Sequence, residues 1–175
     1  GRIRWVGVSN YGAGRLRRSA RLLASYGVPL VANQVNYSLL NRAPEINGVA
    51  AACRELDITV IAYSPLAQGL LTGKYGPGER PAGARKTVSK FRGHDPARVE
   101  PVVEALREVG LRHEKSPAQV ALNWLIRQPG VVAIPGVKNA AHARSNAGAY
   151  GWSITDAEAA RLEAVSAPWR KRDLF

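Results

Sequence analysis

Residues 29–35 read PLVANQV, a short run built on Leu and Val and entered through a proline. Three further runs share its length and its apolar, Val- and Ile-rich character: IRWVGV at 3–8, ITVIAY at 58–63 and VVAI at 131–134. Continuous apolar runs of this size suit parallel strands buried on both faces. Helical patterns lie between them. Leu16, Ala20, Leu23 and Ala24 recur at helical spacing, and Gly27 followed by Pro29 stops that helix. Ile46, Val49, Ala50, Cys53 and Leu56 form a second apolar face, which makes Cys53 a core thiol. Ser116-Pro117-Ala118-Gln119 offers an N-cap, a proline at the first helical position and a glutamine three residues after the cap, ahead of Val120, Ala121, Trp124 and Leu125. That is a capping box, and Thr155-Asp156-Ala157-Glu158 repeats it before Ala159, Leu162 and Val165. The last helix is predicted to end near Ser166, with Trp169 and Arg170-Lys171-Arg172 behind it, and residues 97–111 are predicted helical too.

Strand–helix alternation at a pitch of about 27 residues predicts an α/β fold of four parallel strand–helix units. A doubly wound sheet would carry a phosphate loop at a strand–helix turn, and neither GxGxxG nor GxxxxGK[ST] occurs. Part of a (β/α)8 barrel is therefore the preferred architecture. A whole barrel takes about 250 residues and eight strands. Residues 66–96 are glycine-rich and weakly periodic, with five basic residues after Lys74. They are too long for an ordinary connection, and such loops are functional lids or disordered.

At 175 residues and 46% hydrophobic, the chain is one domain's length and able to bury a core, which excludes a tail or a linker. No apolar run approaches the roughly 20 residues of a membrane span, and the first residues show no signal-peptide core. A single cysteine excludes an intrachain disulfide framework and a Cys-clustered zinc site, and fits a reducing compartment. The charge is +12, with 19 of the 25 basic residues Arg and no acidic residue before Glu45. Arg15, Arg17, Arg18 and Arg21 flank an amphipathic helix and read as a solvated face. No helix-turn-helix, aromatic RNA-binding strand, GXXG clamp or zinc finger accompanies them, so the charge does not identify a nucleic-acid binder.

In strand–helix barrels the functional groups lie at the C-terminal ends of the strands. Four polar sets occupy that position: Ser9-Asn10, Gln34 with Asn36, Tyr63-Ser64, and residues 136–146. Each has a plainer role open to it. Ser9-Asn10 could cap a helix, Gln34 could satisfy backbone, Tyr63 could be a core aromatic, and Lys138 could be solvated.

At these residues the sequence resembles the aldo-keto reductases, NADP-dependent (β/α)8 oxidoreductases, in the branch that includes the potassium-channel β subunits. The matching blocks are VGVSNY, NQVNYSLLNR, IAYSPLAQGLLTGKY, SPAQVALNWLI and VVAIPGVKNAAHARSNAGA, in order across nearly the whole chain. The resemblance implies the C-terminal half of the barrel, four strand–helix units plus a C-terminal helix, as a single domain over 1–175 with a cofactor-covering loop at 66–96. It implies that Ser9, Asn10 and Gln34 hold a nicotinamide carboxamide and that Tyr63 stacks on the ring. Ser64, Pro65, Leu66, Gln68 and Gly69 would line the pyrophosphate path, with Lys74 and Arg85 closing over it. Gly136, Lys138, His142, Arg144 and Asn146 would take the adenosine 2′-phosphate and adenine, making the cofactor NADP. The pattern departs from the family at His142 and Ser145.

The family's acid–base tetrad lies on the first four strands, which this sequence does not contain, so no catalytic residue is nominated and none of His94, His113 and His142 stands at a strand end. Four strands cannot close a barrel of eight, and open edges demand a cover. The opening GRIRWVG favours a piece of a longer reductase over a separately encoded half or a degenerate half-barrel subunit. The expected function is reduction of small aldehydes or ketones once the N-terminal half is supplied, the chain alone being inactive. The alternative is a non-catalytic scaffold in a larger assembly. The expected partners are a carbonyl substrate and the missing half-barrel, with no membrane, no metal, and a cytoplasmic or organellar location.

Overall fold

The computed structural model describes residues 2–74 and 96–171. They form two compact units. The first holds the described residues up to Pro65, Leu125–Gly136 and those from Pro168 on, and the second holds those of Leu66–Trp124 and Val137–Ala167.

The first unit is built on a sheet of β1 (Val6–Ser9), β2 (Leu30–Asn36), β3 (Thr59–Tyr63) and β4 (Val131–Ile134). All neighbours pair in parallel, in the order β1-β2-β3-β4. A doubly wound sheet reverses its order at a switch point, whereas strands laid down in sequence order belong to a barrel wall. Helix α1 (Ala13–Ser25) buries Leu16 and ends in a Schellman turn. There Gly27, at φ 68°, donates its N–H to the Ala24 carbonyl and Val28 donates to that of Leu23. Helix α2 (Val49–Glu55) buries Val49, Ala52 and Cys53.

Three expectations change here. The first strand begins at Val6 instead of residue 3, because β2 starts only at Leu30, after the Schellman turn. Residues 3–5 have no strand to pair with among the described residues, and Trp5 is 59% exposed. The second helix is shorter than its apolar spacing, because Gly48 at φ 85° opens it and leaves Ile46 behind, after a separate 3-10 turn, Ala43–Glu45. Nor are the strands covered on both faces. Asn33, Val35, Val60 and Ala62 are buried on one face, while on the other Gly7 and Ser9 are exposed and Val132 and Ile134 are 48% and 46% exposed. Side chains alternate across a strand, so a run that is apolar throughout leaves every second residue bare wherever one face is uncovered.

The second unit contains a 3-10 segment (Ala67–Thr72), α3 (Pro96–His113), most of α4 (Pro117–Ile126), α5 (Ala140–Ala147) and α6 (Asp156–Val165). Its buried residues include Val102, Leu106, Val109, Val120 and Leu162. Both capping boxes form. Ser116 Oγ accepts from the Gln119 N–H and Gln119 Oε1 accepts from the Ser116 N–H, while Thr155 and Glu158 make the same reciprocal pair. The regular pitch holds only for the first three strands, since the chain from Ser64 to Gly130 inserts two helices before β4. The long loop expected over 66–96 opens with the 3-10 turns, and residues 75–95, with Arg85 and His94, lie outside the described residues. No helix among the described residues is long and apolar enough to cross a membrane.

Candidate functional site

In the first unit the sheet register gathers the strand-end residues. Ser9 pairs with Gln34 across β1 and β2, and Asn36 pairs with Tyr63 across β2 and β3. The Gln34 carbonyl accepts from the Asn10 N–H at 2.8 Å and from Ser9 Oγ at 3.2 Å. Asn10 Nδ2 donates to Ser9 Oγ, and the Tyr63 hydroxyl donates to Asn10 Oδ1, each at 3.3 Å. The side chains of Ser9, Asn10 and the half-buried Tyr63 thus form one polar cluster tied to the Gln34 carbonyl. The Gln34 side-chain amide makes no hydrogen bond among the described residues, so it does not serve as backbone filler. Nor do Ser9 and Asn10 cap the next helix, whose N-cap is Gly12.

Sequence reading missed the residue beneath this cluster. Asn33, fully buried, accepts from the Tyr11 N–H at 3.3 Å and donates to the Tyr11 carbonyl at 3.0 Å. Asn10, at φ 57°, precedes that anchored residue. An Asn inside an apolar strand is the available signal, because a buried amide requires partners. Cys53 also contacts Asn33, and burial pushes its thiol above the usual range, which leaves it a poor nucleophile.

Beyond β3 the backbone turns through left-handed positions: Ser64 at φ 51° and Pro65, buried, close the first unit. In the second, Ala67, Gln68 and Gly69 follow at 46°, 57° and 100°. Non-glycine residues hold such angles at a cost of about 1–3 kcal/mol each, a strain that clusters at functional segments. The Leu66 carbonyl accepts from Gly69, and Lys74 folds back so that its Nζ lies 3.2 Å from where a Cβ on Gly69 would stand. The φ of 100° there is one that glycine adopts without cost.

Of the other predicted residues of the second unit, His142, Arg144 and Asn146 ride on α5 and Lys138 stands just before its N-cap. Asn139 caps it, its Oδ1 accepting from the His142 N–H at 2.9 Å. Lys138, His142 and Arg144 are exposed and Asn146 is half-buried, and no side chain of α5 is fully buried. The positive end of a helix beside a lysine favours an anion. Gly136, at the end of β4, stands in open space with nothing within 4 Å of a would-be Cβ. His113 closes α3, where its Nε2 lies 2.8 Å from Glu158 Oε2.

The model of the aldo/keto reductase family matches residues 1–167. The chain belongs to the aldo/keto reductase family. Among its curated relatives, the chloroplastic pyridoxal reductase of Arabidopsis thaliana is 43% identical over 163 residues, covering 93% of this chain and 44% of that protein. The aldo-keto reductase yakc [NADP(+)] of Schizosaccharomyces pombe is 33% identical, over 90% of this chain and 46% of that one. Among solved structures, the thermostable aldo-keto reductase Tm1743 in complex with the inhibitor epalrestat superposes with a TM-score of 0.69 at 26% identity. That match covers 93% of this chain and 48% of that one. The chain therefore spans about half the length of the aldo/keto reductases it matches, and its four parallel strand–helix units are part of the family's barrel.

Proposed function

We propose that this chain is the cofactor-binding, C-terminal half of an NADP(H)-dependent reductase of small aldehydes or ketones. The observation that carries the reading is the polar cluster of Ser9, Asn10, Gln34 and Tyr63 at three adjacent strand ends. A nicotinamide carboxamide has two donors and one acceptor, and this cluster offers hydroxyl and amide groups of both kinds. Fixing the carboxamide fixes which ring face meets the substrate. The Tyr63 ring offers a flat face for stacking. When bound, the reduced dinucleotide supplies hydride to a carbonyl carbon. No residue of this chain is assigned the proton that completes the alcohol.

Toward the rest of the cofactor, Ser64, Pro65, Leu66, Gln68, Gly69, Lys74 and Arg85 are assigned to the pyrophosphate. Gly136, Lys138, His142, Arg144 and Asn146 are assigned to the adenosine 2′-phosphate and adenine. The exposed sheet face bearing Val132 and Ile134 supports a further partner, the N-terminal half-barrel. The buried single cysteine suits a reducing compartment, cytoplasmic or organellar, and one relative is named chloroplastic. The test is titration of NADPH and NADH into the chain by fluorescence, with NADPH expected to bind about tenfold or more tightly. Equal affinities overturn NADP as the cofactor. The chain alone is expected to reduce no small aldehyde, and turnover abolished by Tyr63→Phe would overturn the division of labour.

A further inference from the structure

Helix α5 has no buried side chain, so apolar packing does not hold it. Its described anchors are polar and sit at its C-terminal end. Gln119 Nε2 donates to the Ser145 carbonyl at 2.9 Å. Trp152 Nε1 donates to that of Gly148 at 3.0 Å, and Asn123 Nδ2 to that of Ala149 at 3.0 Å. These carbonyls lie at the end of α5 and just past it, where intrahelical donors run short, and that of Ser145 also accepts from the Gly148 N–H at 3.2 Å. Gln119, like Asn123, has both ends of its amide engaged, but its acceptor end stays within its own helix. Its Oε1 accepts from the Ser116 N–H at 2.9 Å and from Ser116 Oγ at 3.2 Å, which fixes the side chain to the first turn of α4. The same planar amide therefore joins the start of α4 to the end of α5. Gly148 leaves room for it, since a Cβ there would lie 2.3 Å from Gln119 Nε2.

We infer that Gln119 is a positioning residue: through Ser145 it sets the orientation of α5, and with it the alignment of Lys138 and the helix opening toward a 2′-phosphate. This rests on the proposed assignment of α5 to the adenosine 2′-phosphate. An eight-residue helix is about 12 Å long, so a rotation about its pinned C-terminus displaces its N-terminus in proportion to that whole length. A phosphate held by backbone N–H groups tolerates little misalignment, because hydrogen bonds weaken steeply as they bend.

Gln119→Glu separates the two duties of the side chain. A carboxylate still accepts from Ser116 and suits the third position of a helix, but it presents an acceptor to the Ser145 carbonyl where the amide presented a donor. In the full chain, hydrogen exchange at residues 143–149 is expected to accelerate about tenfold, with Val102–Leu106 and Val120–Leu125 unchanged. Affinity for 2′,5′-ADP, measured by calorimetry, is expected to fall about tenfold while 5′-AMP is unaffected. Gly148→Ala, which expels the amide sterically, is expected to do the same, and combining the two variants adds nothing. Unchanged exchange in 143–149, or loosening spread equally over α3 and α4, overturns the clamp. Accelerated exchange with 2′,5′-ADP binding equally to wild type and variant overturns the positioning role. If exchange accelerates as expected and 2′,5′-ADP binds neither protein, the clamp stands and the 2′-phosphate assignment falls.

Discussion

Ser9, Asn10, Gln34 and Tyr63 take their places from the pairing of β1, β2 and β3, whereas His142 and Arg144 ride on a helix without a buried side chain and Lys138 stands just before its N-cap. The first set inherits its geometry from a backbone ladder in which each strand end is fixed by its neighbour. The second depends on a few hydrogen bonds made at the far end of its helix. A residue on a strand end is therefore robust to loss of any one side-chain bond, while a group on α5 is exposed to failure of single anchors placed elsewhere in the second unit.

The contrast is broken most severely at Asn123, which is 3% exposed and serves the carbonyls of Ala149 and Trp152 and the N–H of Ile154. Replacing it with Ala strands buried backbone groups, and about 3 kcal/mol of stability is expected to go. Urea denaturation measures the loss, and hydrogen exchange should localise it to residues 145–155. A loss below about 1 kcal/mol would mean that water replaces the amide and that the region is not singly anchored.

Glu158 ties the same region to α3. Burial pushes its carboxyl up, but His113, the Thr155 backbone and the Thr155 side chain outweigh burial and hold it at about 2. Its folded value lies below its ordinary 4.5, so the stabilisation is complete above pH 4.5 and disappears as the pH falls through 2. The difference in stability between wild type and Glu158→Gln is expected to be about 2 kcal/mol at pH 6 and to shrink toward zero by about pH 2. A difference independent of pH would assign the role to packing. The exposed pair of Arg17 with Glu55 in the first unit, joined at 2.6 Å, should contribute far less.

Lys138→Ala sharpens the comparison from the ligand's side. The lysine is exposed, so stability should not move. The preference for NADPH over NADH should fall by about tenfold, because a screened phosphate–ammonium attraction is of that order. A variant that loses both cofactors equally would show that Lys138 does not face the 2′-phosphate. The smallest effect is expected at the strand ends. Tyr63→Phe removes one 3.3 Å hydrogen bond to Asn10 while the β-ladder stays, and should cost less than about 1 kcal/mol by urea denaturation. A loss above 2 kcal/mol would mean that the cluster is held by its side chains and not by the sheet.

Local order along the chain was legible in the residues themselves. Val131–Ile134 is a strand over the residues read as one, and Gly27 stops α1 with its N–H on Ala24. Ser116 with Gln119 and Thr155 with Glu158 cap their helices as spaced. These features rest on groups within about five residues of each other, where helix and strand periodicities fix who meets whom. The placement of Ser9, Gln34 and Tyr63 at or near strand ends was legible for the same reason, since it needs only where each run stops.

What the tertiary structure decided lies at longer range. Only the start of β2 sets where β1 can begin, and only the cover on a sheet decides which half of an apolar run is buried. The partners of Asn33, Gln119 and His113 stand 22, 26 and 45 residues away, so no local pattern could name them. Gln119 shows the division within one side chain. Its acceptor oxygen follows from a three-residue spacing in the sequence. The use of its donor nitrogen depends on where the chain returns after β4, because a hydrogen bond forms only between groups that the whole fold has brought within about 3 Å.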